Sequence, residues 1–191
     1  MDPLTSREGA ILLRVARQSI EHGLAFDRPL RVDPADRAGR LGAEAACFVS
    51  LYRGDDLRGC IGAITPQLPL IEQAAESAFS AAFRDHRFPA LARHELDGLR
   101  ISVHVLGPLQ PMPITGLESL HRQLRPGEDG LVLSCSGRQA VFLPVMWEQL
   151  KTPEVFVEQL LRKAGIARGE PLLGLAAQRF VVAVVEDRAE G

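Results

Sequence analysis

The chain is poor in cysteine, with only Cys47, Cys60 and Cys135 among its 191 residues. An odd count without an export signal excludes a disulfide framework and argues for free thiols in a reducing compartment. CxxC and HExxH spacings are absent, so no metal site is expected and no cofactor is predicted. The GxGxxG and Walker phosphate loops are absent as well. No apolar run approaches the roughly 18 residues of a membrane span. The opening MDPLTSREGAILLRVAR carries charge throughout and does not read as a signal peptide, so a cytoplasmic location is expected. Charge of one sign is also missing, with 22 basic against 24 acidic residues and a net charge of -2. Aromatics make up 5%, with one Tyr and one Trp. Neither a basic excess nor a stacking platform is visible, which argues against nucleic acid as a partner.

What is present is a hydrophobic fraction of 46%. It supplies the interior of one domain, or of two small ones sharing a core. Thr5 and Glu8 form a capping-box pattern ahead of Ile11, Leu12, Val15, Ala16 and Ile20, predicting a first helix of about 18 residues. Residues 46 to 53 and the run from Leu57 predict a β-hairpin turned at GDD. A buried helix is predicted over 69 to 84, and a strand from Leu99 to Leu106. The proline-rich PLQPMPIT, 108 to 115, marks a boundary between two lobes. Beyond it come a helix near 117 to 124, the hairpin GLVLSCSG–QAVFLP, and a helix from Thr152 and Pro153 to Ala164. A single apolar strand from Arg179 to Asp187, central in a sheet, is predicted last. Strands arrive as hairpins rather than in βαβ alternation. The fold class is therefore α+β, with antiparallel or mixed sheets and packed helices.

Three stretches carry residues able to do chemistry. In LRGCIG, strand alternation puts Arg58, Cys60, Gly62 and Ile64 on one face, with Arg58 and Cys60 about 6 to 7 Å apart. A cation near a thiol favours the reactive thiolate, so Arg58 is a candidate activator of Cys60 or a holder of an anionic group. Gly59 and Gly62 would let a ligand, or another backbone, approach closely. The plain alternative is a small core cysteine at a tightly packed spot. In DHRF, Asp85 is a candidate general base or a partner orienting Arg87; a purely structural Asp85–Arg87 pair explains the same residues. In LRISVHVL, His104 shares a face with Ser102 and would make a cysteine–histidine pair if the fold brought it to Cys60. Lys163, in the last turn of its helix, is accounted for by the helix dipole.

LRGCIG, DHRFPAL and GLVLSCSGRQAVFLPVMWEQLKTPEVFVEQLLRKAG, in that order, resemble the AmmeMemoRadiSam system protein A family, the AMMECR-one domain. The resemblance covers nearly the whole chain. It implies one AMMECR-one-type domain over 1–191, with two lobes of about 1–107 and 116–191. A cleft lies between them in this reading, and the final strand is a candidate to return to the first lobe's sheet. It also implies association with a Memo-like protein and a radical-SAM protein, in a family without an established activity. The matching positions are Arg58, Gly59, Cys60, Gly62, Asp85, Arg87 and Phe88, then Leu143, Pro144, Lys163 and Gly165. The chain departs from the family's pattern at His86, Val145 and His104. If His104 is particular to this chain, it is no general base of the family. Cys60 and Asp85 are thus the candidate catalytic residues, and Arg58, Gly59, Gly62, Arg87 and His104 the candidate substrate-binding residues. Three functions follow: a small enzyme or enzyme component acting through Cys60 on a small molecule or modified residue, a non-catalytic binding or adaptor module for the two partners, or, weakest of the three, a nucleic-acid-binding module.

Overall fold

The first helix opens with the capping box that its sequence announces. The Thr5 hydroxyl accepts from the Glu8 N–H, and the Glu8 carboxylate accepts from the Thr5 N–H at 2.8 Å. In the computed structural model, which describes residues 4–187, α1 runs from Ser6 to Phe26 and ends at Asp27 in the left-handed region. Strands β1 (Cys47–Arg53), β2 (Asp56–Gly62) and β3 (Leu99–Leu106) follow the predicted positions. Helix α2 (Leu70–Phe83) lies between β2 and β3 in the chain. The chain divides into two compact units, one reaching to Leu106 and resumed at Ala183, the other Gly107–Val182.

In the first unit, the strands form a sheet in the order β2-β1-β3-β8, where β8 is Val182–Glu186. Helices α1 and α2 cover one face of it. Alternate residues Val49, Leu51, Ile101 and Val103 point into that core and meet Leu12, Ile20, Ile71, Ala74 and Ala78. The alanines of α2 let its backbone come close to the sheet. In the second unit the sheet order is β4-β7-β5-β6, formed by Gln110–Met112, Ala176–Phe180, Gly130–Cys135 and Arg138–Phe142. Helices α3 (Leu117–Gln123) and α4 (Pro153–Lys163) belong to this unit. Its core is built around Leu131, Leu133, Leu160 and the stacked rings of Trp147 and Phe156, 3.9 Å between centroids. The chain is α+β.

Two predicted segments come out differently. The proline-rich link contains a strand, β4, at the edge of the second sheet. An edge position tolerates Pro111, which has no N–H to give. The single last strand is two strands. Interior β7 and edge strand β8 meet at Val181, whose carbonyl accepts from the Gly107 N–H at 2.8 Å. A continuous apolar run carries no mark of such a change of sheet. Among the described residues, no helix is long and apolar enough to cross a membrane.

Candidate functional site

Cys60 stands on β2, an edge strand, directly opposite Ser50 of β1. Its N–H and C=O both turn away from β1. The N–H donates to Asp85 Oδ2 at 2.9 Å, and the C=O accepts from Arg87 Nη2 at 3.1 Å. Cys60 and Ser50 are therefore a non-hydrogen-bonded pair, the kind that brings side chains closest. The Ser50 hydroxyl donates to Cys60 Sγ at 3.3 Å. At this one residue Asp85 and Arg87 take the place of the missing neighbour strand. Asp85 itself is buried just beyond the end of α2 and accepts from Arg87 Nε at 2.9 Å and Nη2 at 2.6 Å. Those bonds, helped by the Cys60 and Arg87 N–H groups, hold its carboxyl well below the usual carboxylate range despite burial.

Arg58 does not keep company with Cys60. Leu51 pairs with Gly59 but Tyr52 pairs with Leu57, so Arg58 is the extra residue of a β-bulge. Simple alternation, which predicts a shared face for Arg58 and Cys60, fails at that bulge. The Arg58 guanidinium turns to Glu95, with Nε–Oε1 at 2.8 Å and Nη2–Oε2 at 3.0 Å, and Nη2 also donates to the Pro89 carbonyl at 2.9 Å. The remaining nitrogen, Nη1, is buried without a partner among the described residues. The cation beside Cys60 is Arg87, whose proton is held first by Asp85 and also by the charge and hydrogen bonding of Cys60. Arg87 and Arg58 both lie over the Phe88 ring, at 5.4 and 5.9 Å.

Glu95 is pulled down to about 2, first by the Arg58 hydrogen bonds and then, against burial, by the Ala92 N–H. An unfolded Glu titrates near about 4.3. Folding favours its ionised form, so this stabilisation is complete above roughly pH 5 and drains as pH falls toward 2. Glu95→Gln is therefore expected to be less stable than the parent at pH 7, with the gap shrinking below about pH 4 and closing only as the pH falls through about 2; melting curves across that range check it.

The two signature glycines permit close approach, and the approaching groups come from the chain itself. A Cβ on Gly59 would sit 2.2 Å from the Ala81 carbonyl oxygen of α2. One on Gly62 would sit 2.3 Å from the Cys47 carbonyl oxygen and 2.5 Å from Phe48 Cα.

His104 lies opposite Phe48, which lies opposite Gly62. It is two strands away from β2 with β1 between them, so the fold does not pair it with Cys60. Its Nε2 instead meets Ser102 Oγ at 3.0 Å, and that hydroxyl donates to Glu186 Oε1 at 3.0 Å. Burial pushes His104 down, with the Glu186 charge acting against it. Tyr52 is on the same face. Burial raises its phenol, Ser50 hydrogen-bonds it, and the charges of Cys60 and Glu186 both act on it. The sheet face away from the helices thus carries Cys60, Ser50, Tyr52, Ser102, His104 and Glu186. Sequence reading missed Ser50, Tyr52, Glu186 and Glu95. Polar residues at every second position of β1 and β3 were the available signal for the first two. Glu186 had none, because its strand is hidden in the longer apolar run. Among the described residues, no group of three or more His, Cys, Asp or Glu is placed to hold a metal ion.

These features define a two-sheet α+β protein with a half-buried thiol held on an edge strand by a carboxylate–guanidinium clamp. The AMMECR1 family model matches residues 13–185, and the chain belongs to that family. A relative from Aeropyrum pernix is 41% identical over 116 residues, 59% of this chain and 49% of its own length. One from Methanothermobacter thermautotrophicus is 35% identical over 165 residues, covering 86% of this chain and 85% of the relative. The crystal structure of protein PH0010 from Pyrococcus horikoshii is similar over 97% of this chain and 94% of that one, with a TM-score of 0.87 at 26% identity.

Proposed function

We propose that this chain is a cytoplasmic enzyme or enzyme component whose Cys60 thiol makes the covalent contact with a small molecule or modified residue. It would work in a pathway with a Memo-like and a radical-SAM protein. The observation that carries this reading is the bond from the Ser50 hydroxyl to Cys60 Sγ at 3.3 Å, on a strand immobilised by Asp85 and Arg87. A hydroxyl donor at the sulfur and a guanidinium at the same residue's carbonyl are groups that can hold a reacting thiol in place, and the sulfur is the nucleophile. Asp85 and Arg87 act as positioning residues here, and an Asp85 carboxylate held this low makes a poor general base near neutral pH.

A second reading is the non-catalytic binding or adaptor module. It draws on the use of Gly59, Gly62, Asp85 and Arg87 for internal packing and bonding, so that the signature shapes a surface without chemistry. Nucleic-acid binding stands behind both, given the net charge of -2.

Iodoacetamide separates the first two. Cys135 is buried, and burial pushes the Cys47 thiol up to about 12. The native protein is expected to gain a single label, on Cys60, roughly fivefold faster than N-acetylcysteine at pH 7, and more slowly in Ser50→Ala. A Cys60 no faster than N-acetylcysteine would sink the nucleophile reading and leave the binding module.

A further inference from the structure

Two bonds frame the pairing of β3 with β8: Gly107 N–H to the Val181 carbonyl at 2.8 Å, and Asp187 N–H to the Ile101 carbonyl at 2.9 Å. Counting inward from both places Glu186 opposite Ser102. Ser102 is opposite Ser50, and Ser50 opposite Cys60. One row of side chains therefore crosses all four strands, with a thiol at one end, a carboxylate at the other and hydroxyls between. Strand spacing puts the two end backbones about 14 Å apart. The Glu186 side chain leans back onto Ser102, one strand nearer to Cys60.

The bonding of Glu186 is unusual for an exposed carboxylate. Ser102 is 1% exposed and His104 is 4% exposed, and both are spent on holding it. A hydroxyl has one proton. Because Ser102 gives it to Glu186, Ser102 Oγ must accept from His104, which puts the imidazole proton on Nε2. Two buried polar side chains thus fix one carboxylate whose other oxygen has no partner among the described residues.

The cations described near it are engaged elsewhere. Arg100 is over the Tyr52 ring at 5.1 Å and donates to the Gly54 carbonyl. Arg87 is paired with Asp85, and Arg58 with Glu95. Glu186 forms no ion pair with a described residue, so its carboxylate has room for a cation.

We propose that this sheet face takes a substrate with an electrophilic end at Cys60 and a cationic end, such as an ammonium group, at Glu186. Glu186 is the binding residue, and Ser102 and His104 position it. The assignment rests on the nucleophile reading of Cys60 for its electrophilic end only.

Charged thiol reagents test it. A Cys60 thiolate attacks the sulfenyl sulfur of a methanethiosulfonate, forming the S–S bond as the S–SO2 bond breaks and methanesulfinate leaves. The probes are the cationic 2-(trimethylammonium)ethyl, the anionic 2-sulfonatoethyl and the neutral methyl reagents, used at low salt on the full chain and followed by intact mass. Glu186→Gln is expected to lower the ratio of cationic to anionic rates at Cys60 by about threefold, an effect that shrinks as salt is added. Ser102→Ala, which keeps the charge but frees the carboxylate, is expected to lower it less. Circular dichroism confirms that both variants are folded. An unchanged ratio in folded Glu186→Gln overturns the proposal. If the neutral reagent reacts no faster than with N-acetylcysteine while the ratio still depends on Glu186, the nucleophile reading fails and the cation site stands.

Discussion

Asp85→Ala is expected to lower the unfolding free energy by about 3 kcal/mol, a drop of roughly 10 °C in melting temperature for a chain of this size. The removed carboxylate is 1% exposed and accepts from the Cys60 N–H and from three donors of Arg87. Its loss strands the Cys60 N–H at the strand edge, a cost of roughly 1 to 2 kcal/mol. It also leaves the Arg87 guanidinium without its counter-charge. Arg87 is 48% exposed and regains water, which keeps the second cost well below that of a fully buried pair. Far-UV circular dichroism in urea is the suitable readout, because the sole tryptophan, Trp147, belongs to the second unit. Asp85→Asn keeps the shape and removes the charge, so it should fall between parent and Ala variant. The Asp85 carboxyl titrates lower folded than unfolded, so its stabilisation is present above about pH 4 and lost below. The difference between the parent and Asp85→Asn should therefore narrow steadily from pH 5 to pH 2. A constant difference would mean that the carboxylate charge contributes nothing.

Gly59→Ala is expected to cost about 3 kcal/mol although it adds one methyl group. The new Cβ would meet the Ala81 carbonyl at 2.2 Å, and the obstacle is helix backbone rather than a side chain that can swing away. Either α2 moves off the sheet or β2 bends outward. Both open the α2–sheet contact, and the second shifts Cys60 relative to Asp85, the residue that follows α2 closely. Gly59→Ala should thus lose stability and Cys60 reactivity together. Retention of parent-like melting and labelling would show that the glycine is not needed for the approach of α2.

Local rules were sufficient wherever the deciding interactions are local. The capping box at Thr5 and Glu8 set the start of α1, and Gly107 and Pro108 marked the end of β3. Ser136 and Gly137, both at positive φ, turn the β5–β6 hairpin where the sequence placed it. The arrival of strands as hairpins was enough for the α+β class. The candidate residues of the site were also visible, because Arg58, Cys60, Asp85 and Arg87 stand in short and unusual stretches.

What the sequence could not express was which of them touch. A β-bulge at Arg58 costs one residue of register and leaves no trace in composition, yet it sends Arg58 to Glu95 and leaves Arg87 as the cation beside Cys60. The change of sheet at Val181 is equally silent, and without it Glu186 has no place opposite Ser102. By itself, the sequence determined most of the elements, the fold class and the residues with reactive groups, since these follow from periodicity and side-chain chemistry. Only the tertiary structure decided the row from Cys60 to Glu186. Register and strand order depend on pairings between segments far apart in the chain, Ser102 and Glu186 being 84 residues apart, and no local pattern encodes them.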